Sequence, residues 1–112
     1  MSFSMDFNVV TTRFFEHKFK RLARKYVSLN NDLRVITKEL KLNPTMGASL
    51  GRGCYKIRMP IAGKGRGKSG GARVISYVQI VKNTVYLLSI YDKSEAETIA
   101  DKQIDDLLKL IE

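Results

Sequence analysis

Residues 62–78 read AGKGRGKSGGARVISYV, and the residues after Ser69 in that stretch decide the fold. Ala62, four residues, then Gly67-Lys68-Ser69 fits a loose phosphate-binding loop with Ala in place of the first Gly. A nucleotide-binding loop needs a helix directly after its Lys-Ser, so that free N–H groups and the helix dipole face the phosphates. Here Gly70 and Gly71 lead instead into a β-branched, alternating segment that reads as a strand. The segment VYLLSIYD (85–92) ends in Asp92, where a magnesium-binding partner would stand. It follows the preceding strand through a short KN or VKNT connection, which predicts an antiparallel pair. A nucleotide fold requires a crossover and a parallel sheet. The stretch is therefore a β-loop-β unit, and no nucleotide cofactor is expected.

Working outward, CYKIRMPI (54–61) alternates. Tyr55, Ile57 and Met59 fall on one face of a strand, and Lys56 and Arg58 on the other. Upstream lies a glycine-rich stretch with Gly47, Gly51 and Gly53, and before it the period is helical. Phe15, Phe19, Leu22 and Tyr26 form one stripe; Leu29, Leu33, Ile36 and Leu40 continue it. Ser28, Asn30, Asn31 and Asp32 favour caps and turns, so a break near Ser28–Asn31 and a helical hairpin are expected. Thr11 or Thr12 caps the first helix, DFNVVT (6–11) precedes it as a strand, and Asn43-Pro44 ends the second. At the other end, SEAETIADKQIDDLLKLIE (94–112) reads as an amphipathic helix. Ser94 is its expected cap, with Glu95 and Glu97 in its first turn. Ala96, Ala100, Ile104, Leu107, Leu108 and Ile111 form its apolar stripe. The prediction is one α+β domain over residues 1–112: an N-terminal strand and helical hairpin, a three-stranded antiparallel run joining a mostly antiparallel sheet, and a C-terminal helix.

The chain carries a net charge of +9, and its distribution is uneven. Between Leu40 and Tyr91 there is no Asp or Glu, but there are nine basic residues: Lys41, Arg52, Lys56, Arg58, Lys64, Arg66, Lys68, Arg73 and Lys82. The rest of the chain has 11 basic and 11 acidic residues. An acid-free block attracts polyanions, and nucleic acid is the commonest of these. The basic side of the first helix, with Lys18, Arg21 and Lys25, reads as a solvated face, and docking to an acidic or nucleic-acid surface is the weaker alternative. No apolar run approaches the roughly 20 residues of a membrane span. The start, MSFSMDFNVV, lacks a basic region followed by an apolar stretch, so a cytoplasmic protein is expected. A single cysteine, Cys54, excludes an internal disulfide, and with the one histidine, His17, it excludes the usual structural zinc sets.

The stretch CYKIRMPIAGKGRGKSGGARVISYVQI, followed by VYLLSIYDKSEAE, resembles the RelE/HigB-type toxins of bacterial type II toxin–antitoxin pairs. The likeness is strongest from Tyr55 to Glu97. It implies a toxin that enters the ribosomal A site and cleaves the bound messenger RNA without a metal or cofactor. The ribose 2′-hydroxyl attacks the adjacent phosphate, and the 5′-hydroxyl leaves. It also implies a cognate antitoxin as partner. The acid-free block holds no histidine or carboxylate, so lysine, arginine and tyrosine must supply the chemistry. Lys56 is the candidate general base, since crowded like charge lowers a lysine's pKa. Arg58 and Arg73 are candidates for stabilising the phosphorane. Lys93 stands where relatives carry a basic residue and can assist the leaving group. Tyr91 can stack on a base or donate a proton. Some relatives carry a functional tyrosine in the last helix; the corresponding stretch, around Ile99, has none, so the general acid stays open. Lys64, Arg66 and Lys68 are candidate RNA-backbone contacts on a glycine-rich loop. Two alternatives remain at this level: a gyrase-poisoning toxin of the same fold, and a non-catalytic RNA-binding module.

Overall fold

The structure is a computed structural model that describes residues 6–64, 70–95 and 99–111. Five strands form one sheet in the order β1-β5-β4-β3-β2. These are β1 (Asn8–Thr11), β2 (Ala48–Gly51), β3 (Cys54–Met59), β4 (Ala72–Gln79) and β5 (Thr84–Asp92). The helices are α1 (Arg13–Lys25), α2 (Leu29–Leu42) and α3 (Asp101–Lys109). Strands β2 to β5 run antiparallel to their neighbours, and β1 joins β5 in parallel. Strand β4 follows the glycine pair and pairs antiparallel with β5, as the sequence predicts. Among the described residues no helix is long and apolar enough to cross a membrane.

Each face of the sheet carries its own apolar cluster. One face packs Ile57, Met59, Val74, Val78, Val85, Leu87 and Ile90 against Phe15 and Leu22 of α1 and Leu29, Ile36 and Leu40 of α2. The other packs Cys54, Ile75, Leu88 and Tyr91 against Ile104 and Leu107 of α3. Burying a Leu or Ile side chain contributes about 1.5–3 kcal/mol, so α3, with two buried side chains, is held less firmly than the hairpin.

Strand β5 changes phase halfway. Ser76 pairs with Leu87 but Ile75 pairs with Ser89, so Leu88 is one residue too many. This β-bulge places Leu88 and Ser89 on the same side of the strand. Val85 and Leu87 belong to the hairpin face, Leu88 to the α3 face, Ile90 again to the hairpin face and Tyr91 to the α3 face.

Local chemistry explains where the elements begin and end, and where they differ from expectation. Thr12 caps α1: its Oγ1 accepts from the Phe15 N–H at 3.2 Å and donates to the Leu87 carbonyl at 2.9 Å. The break between helices falls at Tyr26–Ser28, so Asn30, Asn31 and Asp32 lie inside α2. Asp32 is drawn inward because its carboxylate accepts from the Ser28 hydroxyl at 2.8 Å and the Ala62 N–H at 3.3 Å. The glycine-rich stretch holds a strand the sequence did not announce, β2, paired along the edge of β3. The β4–β5 connection is a short 3₁₀ turn, Ile80–Lys82, closed by Asn83 in a left-handed conformation.

The last helix corrects an expectation. It starts at Asp101, and Ser94 does not cap it. The Ser94 N–H and hydroxyl are both taken by Asp92 Oδ1, at 2.9 and 2.7 Å, which turns the chain at the end of β5. The Ala100 N–H is instead satisfied by Gln103 Oε1 at 3.2 Å. Ala96 and Glu97 lie outside the described residues. Helix α3 is tied to the β2–β3 turn by Arg52, which pairs with Asp101 at 3.4 Å and with Asp105.

Gly71 has φ +84°, and a Cβ there would sit 2.7 Å from the Met59 carbonyl oxygen. Gly51 has φ +85° with nothing within 4 Å. Both positions carry backbone strain for any side chain, about 1–3 kcal/mol; only Gly71 adds a collision with β3. Gly71→Ala is therefore expected to lower the urea-unfolding free energy by about 2 kcal/mol more than Gly51→Ala. Equal losses in the two variants would contradict the close approach.

Candidate functional site

The register of β3, β4 and β5 assembles a row of polar side chains across the α3 face. Arg58 stands opposite Arg73, and Arg73 opposite Tyr91. Lys56, two residues before Arg58, stands opposite Ile75, itself opposite Ser89. With strands about 4.8 Å apart, Arg58 and Tyr91 lie roughly 10 Å from each other across the sheet. Two arginines directly opposite repel each other, a placement that costs stability. Helix α3 covers the neighbouring rows at Cys54 and Leu88, while Arg58 stays exposed and Lys56 half-buried.

Arg73 is only 6% exposed. Its guanidinium donates to the Ala72 carbonyl at 3.2 Å and the Gly70 carbonyl at 3.4 Å. A buried cation held by two carbonyls, with no carboxylate among its partners in the described residues, keeps its charge available for an anion. Tyr91 is 9% exposed, and its hydroxyl is buried with no hydrogen-bond partner among the described residues. Burial pushes its pKa up and the charge of Arg73 pulls it part of the way back. The phenol is thus held as O–H, a donor awaiting an acceptor.

Lys93 follows β5 directly, and its N–H donates to the Gly71 carbonyl at 2.9 Å. That bond ties it to the glycine at the exit of the Gly-Lys loop. Asp92, fully buried beside it, accepts from the Tyr26 hydroxyl at 2.7 Å and lies 3.8 Å from the Lys25 ammonium. The loop's entrance is also anchored, by the Ala62 bond to Asp32 and by the Gly63 N–H on the Ser28 hydroxyl at 2.8 Å. The entrance is thus tied to the start of α2 and the exit to the end of β5. Arg66, Lys68 and the side chain of Lys64 lie outside the described residues.

Among the sequence-derived candidates, the register brings Lys56, Arg58, Arg73 and Tyr91 onto one face, with Lys93 one place beyond the strand. Cys54 is fully buried and burial raises its pKa, with a smaller opposing effect of Arg52, so it packs as a thiol. Arg52, one of the nine cations of the acid-free block, is spent on α3. The role of Asp92 escapes sequence reasoning. Its only signal there is an acid ending an apolar strand, which reads as a metal ligand.

The comparisons with known proteins agree with this architecture. Residues 12–111 match the family described as the RelE toxin of the RelE/RelB toxin–antitoxin system, and the chain belongs to that family. The structure is similar to that of an Escherichia coli RelE toxin mutant in the free state, with a TM-score of 0.64 and 16% identity, covering 96% of this chain and 99% of that one. It is also similar to a chain of the intact E. coli RelBE toxin–antitoxin complex, with a TM-score of 0.58 and 18% identity over 75% of this chain and 93% of that one. A chain of the RelBE2 toxin–antitoxin complex from Mycobacterium tuberculosis matches with a TM-score of 0.57 and 18% identity, over 78% and 91% of the two chains.

An unpartnered buried hydroxyl stabilises nothing, and its removal relieves a desolvation cost. Tyr91→Phe is therefore expected to leave the thermal midpoint unchanged or to raise it slightly. A loss of more than about 1 kcal/mol would show that the hydroxyl has a structural partner.

Proposed function

We propose that this RelE-family toxin is a ribosome-dependent endoribonuclease that cuts messenger RNA in the A site and so stops translation. The single observation that carries the reading is the row Arg58–Arg73–Tyr91 with Lys56 beside it on the same face, none of whose strand positions is a carboxylate. An acidic side chain there would neutralise the cations and repel the substrate; none lies between Leu40 and Tyr91.

In this reading Lys56 takes the proton of the ribose 2′-hydroxyl. The 2′-oxygen forms a bond to the adjacent phosphorus and the bond from phosphorus to the 5′-oxygen breaks. The products are a 2′,3′-cyclic phosphate and a 5′-hydroxyl. Arg58 and Arg73 carry the phosphorane's charge; Arg73 is preorganised by its two carbonyl contacts, so little reorganisation accompanies the reaction. The leaving 5′-oxygen needs a proton, and Tyr91 and Lys93 are the two donors at that end of the row. The elevated pKa of Tyr91 keeps its proton in place through the neutral range. Lys64, Arg66 and Lys68 grip the backbone from the loop. A cognate antitoxin of the RelB type is the expected protein partner, and the cytoplasm, where ribosomes are, the expected site of action.

The test is cleavage of a defined message on purified translating ribosomes. Wild type is expected to cut the message, and Lys56→Ala and Arg73→Ala to cut at least roughly a hundredfold more slowly. Intact message with wild type, or equal cutting by all three proteins, would remove the reading. DNA breaks on induction without message cleavage would point to gyrase instead, and salt-sensitive RNA binding without cleavage to a binding module.

A further inference from the structure

Strand β1 pairs with β5 only as far as Leu87. Beyond it, the edge of β5 at Ser89–Tyr91 has no strand beside it and faces a groove between α1 and α3. Two hollows form this groove. One, about 290 Å³, is lined by Phe14, Lys18, Ser89, Tyr91, Ile99, Gln103, Asp106 and Leu107. The other, about 200 Å³, has Lys18, Arg21 and Lys25 along one wall and Tyr91 at its floor. They meet at Lys18 and Tyr91.

The two hollows differ in chemistry, and the difference matches the two halves of a nucleotide. The first has an aromatic wall, Phe14, which is 38% exposed, with Ile99 and Leu107 as apolar neighbours. Its polar groups include the Gln103 amide, whose oxygen already accepts from Ala100, leaving its NH₂ free to donate. Asp106 at its rim is paired with Lys102 at 3.4 Å. The second hollow presents Arg21 and Lys18, whose ammonium lies over one face of the Phe14 ring at 5.6 Å from its centroid; neither has an ion pair among the described residues. Its acids, Asp92 and Glu95, are both answered by Lys25, at 3.8 and 3.5 Å. Tyr91, whose buried hydroxyl has no partner among the described residues, lines both hollows.

We propose that this groove is a nucleotide subsite of the RNA-cleaving centre: a base flanking the scissile phosphate enters the Phe14–Leu107 hollow, and the next phosphate rests on Lys18 and Arg21. The inference rests on the ribonuclease reading. The distances suit it. The groove begins one place beyond Tyr91 in the row that starts at Arg58, and the row spans roughly 10 Å, so groove and row together accommodate a few nucleotides of extended strand. Base stacking on Phe14 tolerates any base, while the Gln103 amide adds hydrogen-bond preference. The basic stripe of α1 then acts as a track for the backbone and not merely as a solvated face.

The experiment maps cleavage of a defined message on translating ribosomes across substrate and salt concentrations. Wild type is compared with Phe14→Ala, Phe14→Tyr, Gln103→Leu and the double variant Lys18→Ala/Arg21→Ala. Phe14→Ala is expected to raise KM roughly tenfold, the size of one lost stack, with kcat little changed, and Phe14→Tyr to restore it. Gln103→Leu should redistribute the cut sites. The double variant should flatten the log–log salt dependence by roughly one to two units. A second measurement needs no variant: with 4-thiouridine placed next to the cut site, wild type is expected to crosslink through the α1 peptide 13–25. Cleavage by wild type with unchanged KM, cut sites and salt slope in the folded variants would overturn the subsite alone. Crosslinks confined to other peptides would do the same, as would variants that lose antitoxin binding but cleave normally. No cleavage by wild type would overturn the ribonuclease reading, and the subsite with it.

Discussion

Two arginines facing each other on adjacent strands are the constraint around which this protein is organised. Left alone, Arg58 and Arg73 would push β3 and β4 out of register. The opposite face of the same strands prevents it. Ile57 against Val74 and Met59 against Ala72 are all buried beneath the helical hairpin. Side chains alternate along a strand, so a slip of β3 by one residue would send Ile57 and Met59 to the α3 face and Arg58 into the core. The repulsion is therefore set against the burial of the hairpin face and loses. Gly71 closes the remaining freedom, because its approach to the Met59 carbonyl locks the two strand ends together.

The same contest explains where the charge goes. A cation block of this density stays soluble and folded only if each member has a solvent path or a neutral partner. Arg58 is exposed, Arg73 leans on backbone carbonyls, and Arg52 is neutralised by the acids of α3. Helix α3 is thus held to the sheet by a small apolar patch and a pair of ionic contacts, a lighter attachment than that of α1 and α2. The buried carboxylate of Asp92 does the joining work at the other end. It draws Tyr26, Lys25 and Ser94 together, so the close of α1 and the close of β5 are a single joint.

Much of this was legible in the sequence. The alternation in CYKIRM placed Lys56 and Arg58 together, and the β-branched run after Gly71 identified a strand where a helix would have meant a nucleotide site. The helical hairpin and its Thr12 cap follow from a 3.6-residue rhythm and a hydroxyl in the right place. The features that failed to show depend on distant partners. Strand β2 is four residues of small or ambiguous type and exists because β3 offers it an edge. Ser94 reads as a cap only until Asp92 claims both its donors. Asn30 and Asn31 look like a turn, but the capture of Asp32 by the Ser28 hydroxyl and the Ala62 N–H moves the break upstream. The neighbourhood of Tyr91 was visible as residue types alone; that its hydroxyl lies buried, without a partner among the described residues, depends on α1 and α3 closing around it.

The extra residue at Leu88–Ser89 has a consequence of its own. Upstream of it the strand obeys one parity, and downstream the opposite one, so the bulge is where the numbering of inside and outside is exchanged. Tyr91 shares a face with Arg73, and Asp92 meets Tyr26 beneath the hairpin, only because the bulge absorbs that extra residue. The same chain paired straight through Leu88, with no bulge, would keep its composition, its charge and the first half of β5. It would send the phenol into the hydrocarbon core and bring the carboxylate out among the arginines, turning a cationic surface into a self-neutralised one without altering any residue of the basic block.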